Sequence, residues 1–120
     1  MVFSGITASE AEIDAIAGAN VDTAFDGDDK TASLLRAENF LNVETGKNWS
    51  DDFSGLDVDV KSLVTAFTAS WVARDMINYN PDAMGRSSAI FKTNIIRDII
   101  NTALSTLKDK TTNQQFMDDA

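Results

Sequence analysis

The sequence predicts an all-α fold, and three observations predict it. Apolar residues recur at spacings of three, four and seven over most of the 120 residues. Acids and hydroxyl residues stand where helices would be capped at their N-termini. The β-branched runs with turn signals every 8–12 residues that sheets require are missing, and the chain holds a single proline, Pro81. The expected architecture is one small four-helix domain over 1–108, with a long central third helix, followed by a polar C-terminal tail over 109–120.

The first helix is expected from Ala8 to Ala19. Thr7 with Glu10, or Ser9 with Glu12, has the spacing of a capping box. Ile13, Ile16 and Ala17 supply its apolar stripe. Asn20 to Asp29 reads as a loop rich in Asp and Gly, anchored by Phe25. The second helix should run from Lys30 to Thr45, capped by Asp28 or Asp29. Leu34, Ala37, Phe40 and Leu41 share one side, Leu35 and Val43 widen the arc, and Gly46 closes the helix in the left-handed region. Trp49 lies close enough to fold back on the last turn, and Ser50 to Gly55 is expected to be irregular.

The third helix is expected over Val58 to Asn78, with Asp57 as N-cap and a stop ahead of Asn80-Pro81. Val60, Leu63, Val64, Phe67 and Trp71 form one stripe. Ala66, Ala69, Ala73, Met76 and Ile77 lie on much of the opposite side. A helix apolar on two sides must be sandwiched, either centrally in its own domain or against another subunit. The fourth helix opens at Ser87 or Ser88 and continues to Lys108. Its face is Ile95, Ile96, Ile99, Ile100, Ala103, Leu104 and Leu107. In the tail, Phe116-Met117 is the one apolar pair.

Composition excludes several functions. The chain has no cysteine and no histidine, which removes disulfides, thiolate sites and every imidazole-based triad or metal centre. Ten Lys and Arg against nineteen Asp and Glu give a net charge of −9, the wrong sign for gripping phosphates. Residues 1–59 carry a net −10 and residues 60–120 a net +1. Such polarity suits head-to-tail association of identical copies, or simply two solubilising acidic loops. The opening residues lack a signal-peptide pattern and no stretch is long enough to span a bilayer, so a cytoplasmic origin and no membrane partner are expected.

Asp26-Gly27-Asp28-Asp29 resembles the start of a calcium loop, but an EF-hand needs Gly at the sixth position and Glu at the twelfth. Thr31 and Ala37 stand there instead, so helix capping is the better account. Asp51-Asp52 and Asp57 with Asp59 read as loop solvation or caps. Lys61, Arg74, Lys92 and Arg97 are too few and lack interleaved aromatics for a nucleic-acid groove. The isolated glycines form no phosphate cradle. No cofactor, metal or catalytic residue is expected. Arg74 and Asp75 interrupt the apolar surface of the third helix. They either mark where it meets solvent or pair with a neighbouring subunit, alongside Phe67 and Trp71.

One stretch is more specific: Arg36-Ala37-Glu38-Asn39-Phe40-Leu41-Asn42-Val43-Glu44-Thr45-Gly46-Lys47-Asn48-Trp49. It resembles the helix-ending motif of the small head–tail connector (adaptor) proteins of tailed bacteriophages. There, a helix of the form A-E-x-[FI]-[IVL] runs into a T-G-[KR]-x-[FW] turn. Ala37, Glu38, Phe40, Thr45, Gly46 and Trp49 carry the match. The order of elements over residues 5–80 also agrees.

The resemblance implies a non-catalytic virion protein at the head–tail junction, all-helical, forming a ring on the portal protein. Such a ring, usually a dodecamer, extends the DNA channel toward a stopper or tail protein without sequence-specific contact to the passing DNA. It further implies a portal-docking C-terminal segment, here 108–120 with Phe116 and Met117 as anchor. Twelve copies at −9 each carry −108, and carboxylates lining the bore would repel the duplex. A tail-completion or stopper protein is the neighbouring reading. The rival from another class is an acidic helical inhibitor of a host or phage DNA-binding protein.

Overall fold

A computed structural model describes residues 6–18, 24–80 and 85–112. Its elements are α1 (Glu10–Ala17), α2 (Gly27–Thr45), the short α3 (Trp49–Asp52), a 3-10 turn (Phe53–Gly55), α4 (Val58–Tyr79) and α5 (Arg86–Thr112). The fold is all-α, and among the described residues there is no strand.

The helices α1 to α4 each begin where a side chain satisfies orphan N–H groups. Of the two capping boxes open to α1, the structure adopts Ser9 with Glu12 (Glu12 N to Ser9 Oγ 3.2 Å, Ser9 N to Glu12 Oε1 2.8 Å). The helix therefore starts at Glu10, later than the expected Ala8, and Thr7 is free for another task. The cap of α2 is Asp26, not Asp28 or Asp29. Its Oδ1 accepts from the backbone N–H of both Asp28 and Asp29, while Asp29 Oδ2 accepts from Asp26 N. An earlier cap places two acids in the first turn, where the positive end of the helix dipole favours them. Asp57 caps α4 as expected, through Asp59 N (2.9 Å). The segment 50–55, expected to be irregular, is instead α3 and the 3-10 turn. Asn48 caps α3 through Asp51 N (3.1 Å), and Phe53 packs against the core and holds the turn from below.

The central helix is α4, which lies against α1, α2 and most extensively α5. Val60, Val64, Phe67, Thr68, Ala69, Ser70, Val72, Ala73, Met76 and Ile77 are all buried. Both of its apolar sides are covered by the same chain. Of the two alternatives left open by the sequence, the buried residues take the first: they are sandwiched within their own domain. Ile13 and Ala17 of α1, Leu34, Ala37 and Leu41 of α2, and Ile96, Ile100, Ala103 and Leu107 of α5 close around it.

Three other expectations change. Leu35 and Val43 do not widen the buried arc of α2; both are exposed. Ile95 and Ile99 of α5 also face solvent, because the buried arc of that helix is centred on Ile96 and Ile100. Finally, α5 continues through Thr112, past the expected end at Lys108, so the tail does not begin at 109. At 27 residues and 1.5 Å per residue, α5 is about 40 Å long. It accounts for most of the 45 Å long dimension.

Candidate functional site

The helix-ending motif folds into a closed hydrogen-bonded knot at the end of α2. Gly46 takes the left-handed conformation (φ 77°), where a Cβ would be strained, and its N–H donates to Asn42 O. The chain then reverses, and Trp49 returns to the last helical turn fully buried. Its indole Nε1 donates to Thr45 Oγ1 at 2.7 Å, and Thr45 Oγ1 donates onward to Leu41 O at 2.8 Å. Asn42 Oδ1 accepts from Trp49 N at 2.9 Å, and Lys47 Nζ lies 5.5 Å from the Trp49 ring centroid. A buried indole N–H without a partner would cost about 1–3 kcal/mol, so Thr45 and Trp49 depend on each other.

The other motif residues work one turn earlier. Ala37 is buried against the core, and its small size lets α2 approach. Glu38 is buried too, and its Oε2 accepts from Thr7 N (3.1 Å) and Thr7 Oγ1 (2.8 Å). Thr7 also reaches α4: its Oγ1 lies 3.0 Å from Thr68 Oγ1, and Thr65 Oγ1 donates to Thr7 O at 2.7 Å. Residue 7 thereby laces α2 to α4. Phe40 is partly exposed and lies on Phe67 and Trp71, with ring centroids 6.3 and 5.1 Å away. Sequence reasoning found the motif but missed Thr7, Asn42 and Asn48. For the two asparagines a signal existed, since both flank a glycine helix stop; Thr7 acts across 31 and 61 residues, where no local pattern reports.

The set expected between subunits turns inward. Phe67 is fully buried in its own chain, so it is corrected from interface to core. Trp71 is half-buried against Phe40 and Phe67, and Arg74 lies over its ring at 4.7 Å. Asp75 accepts from Ser33 Oγ at 2.6 Å and pairs with Arg36 at 3.8 Å. A guanidinium over an indole and a carboxylate between a serine and an arginine are ordinary ways to settle charges at the edge of a core. Phe116 and Met117 lie outside the described residues.

Charge is organised without a reactive cluster. Lys30 Nζ bridges α2 to α1 through Glu10 (2.9 Å) and Asp14 (3.1 Å). Burial pushes the Lys30 pKa down, but the hydrogen bonds and charges of Glu10 and Asp14 together outweigh it and hold the pKa above 10.5. The acids around Asp26 already serve as caps, and among the described residues no group of three or more carboxylates could hold a metal ion. Lys61 lies over Phe53, 5.6 Å from its centroid, so it and Arg74 are each committed to a different aromatic ring. Among the described residues no helix is long and apolar enough to cross a membrane.

Two surfaces remain. One is the outer side of α5, where Ile90, Phe91, Ile95 and Ile99 are exposed. The other is a groove of about 910 Å³ between residues 6–12 and the first half of α4, with Phe53 in its wall. No family model, no curated protein and no solved structure matches the chain.

Proposed function

We propose that this chain is a non-catalytic structural subunit of a tailed-bacteriophage head–tail connector, an adaptor that rings the portal protein and carries the DNA channel toward a stopper or tail protein. The motif over 36–49 carries the reading. Of its six matching residues, Thr45, Gly46 and Trp49 end α2, while Ala37, Glu38 and Phe40 fasten that helix to the core, to Thr7 and to the rings of α4. The lack of His and Cys in the whole sequence and the commitment of the Asp26 and Asp57 carboxylates to helix caps support a role without catalysis. The ring would be a dodecamer matching the portal, with the acids of the N-terminal half toward the bore.

Native mass spectrometry of the chain with the portal ring encoded in the same genome tests this. Twelve copies added per portal ring is the expected result. A chain that ignores the portal and instead titrates a DNA-binding enzyme would favour the inhibitor reading. Deleting Asn113 to Ala120, beyond α5, should leave helical content intact, by circular dichroism, and abolish portal attachment. Unchanged attachment would move the anchor away from Phe116 and Met117.

A further inference from the structure

We infer that copies of this chain dock head to tail, the outer ridge of α5 on one copy entering the groove beside α1 and α4 of the next. The inference rests on the reading of the chain as a ring-forming subunit and names the surface that such a ring would use.

The ridge is the most exposed apolar feature among the described residues of α5. Phe91 is 69% exposed, Ile90 62%, Ile95 46% and Ile99 40%. Phe91, Ile95 and Ile99 fall at i, i+4 and i+8, so they form one continuous row about 12 Å long on a rigid helix. Large apolar side chains at that spacing, lying outside a face already buried, form a contiguous patch of the kind that marks an interaction site. Among the described residues nothing covers the row, and the neighbouring Ile96 and Ile100 already pack inward.

The groove is its complement in charge. Ile6, Ala8, Phe53 and Ala66 give it an apolar lining, Ile6 is 57% exposed at its edge, and Glu10 and Glu12 border it against the single cation Lys61. The charged residues of its lining, Glu10, Glu12 and Lys61, carry a net −1. Beside the ridge stand Lys92, Arg97 and Asp98, a net +1. Ridge against groove therefore joins opposite charges. Ridge against ridge would join two surfaces of net positive charge, which opposes a symmetric pair through α5. Because the two surfaces are different patches of one molecule, each docked copy presents a fresh ridge and a fresh groove. Such heterologous contacts either close into a ring or grow as a filament.

Sedimentation equilibrium of the whole chain up to about 1 mM, without portal, tests the inference. The wild type is expected to associate beyond the dimer. Phe91→Asp and Ile6→Asp should each weaken association at least about tenfold, as substitutions at an interface centre do. Ile99→Asp serves as a second ridge variant, and thermal melts check that each variant is folded. An equal mixture of Phe91→Asp and Ile6→Asp should form a 1:1 heterodimer and nothing larger, since one keeps its groove and the other its ridge. A wild type that stays monomeric over the range overturns the inference. So does a dimer untouched by Ile6→Asp, which would be ridge on ridge, and so does a mixture without heterodimer. Portal binding measured separately distinguishes the two readings. Self-association without portal binding removes the adaptor role and keeps this surface, whereas portal binding by a strict monomer does the reverse.

Discussion

The helices α4 and α5 are both long, yet their apolar surfaces meet opposite fates. The apolar residues of α4 lie on two sides, and those of α5 form one broad arc. In α4 the second stripe is covered, because α1, α2 and α5 surround it from several directions. In α5 one arc packs on α4 while Phe91, Ile95 and Ile99 stay outside. Periodicity reports how much apolar surface a helix offers, and only the position of its neighbours decides how much of it is covered. The surplus on α4 is covered within the chain, whereas α5 keeps an exposed row.

The sharpest way to break this contrast is Phe67→Ala in α4 beside Phe91→Ala in α5. Phe67 is fully buried, and removing it should cost about 3–5 kcal/mol, through lost burial and a residual cavity. Urea denaturation measures that cost, and a loss under about 1 kcal/mol would mean the two-sided burial of α4 is not real. A second test sharpens the role of the knot that ends α2. Thr45→Val deprives the buried Trp49 indole N–H of its acceptor and should cost about 1–3 kcal/mol by the same measurement. Gly46→Ala follows at about 1 kcal/mol, since a Cβ in the left-handed region is strained even where space is open.

Smaller still is the alkaline response of the link between α1 and α2. Because the folded Lys30 pKa lies above its unfolded value of 10.5, the folded state holds the proton more tightly. The stabilisation is complete below 10.5 and is lost as the pH rises through the folded value. The partner carboxylates are about half exposed, so screening keeps the effect under about 1 kcal/mol. Thermal melts between pH 9 and 12, for wild type and Lys30→Met, measure it as the steeper loss of stability with rising pH in the wild type. The smallest effect closes the contrast that the first opened. Phe91→Ala should change monomer stability by no more than about 0.5 kcal/mol, while still weakening any association of copies.

Much of this fold was legible because its signals are local. Asp57 before Val58, Gly46 after Thr45 and Asn80 before Pro81 each bound a helix through the chemistry of one or two residues, and the structure keeps those bounds to within a residue. Where several acids stood in a row, as from Asp26 to Asp29, the cap could not be assigned, since each can accept the same N–H groups and only the reciprocal bond from Asp26 N to Asp29 selects one. The candidate site was legible only in part. The motif around Gly46 is short-range, whereas its link to α4 through Thr7 and Glu38 spans 31 residues.

By itself the sequence determined the class of the molecule: helical periodicity, caps and a lack of imidazole and thiol specify an all-α chain without the usual catalytic groups. It also determined the charge polarity, which is a sum over residues and needs no coordinates. Only the tertiary structure decided which apolar residues are core and which are surface, because burial depends on what stands opposite each face. Phe67 went inside and Phe91 stayed outside for that reason, although their local patterns resemble each other.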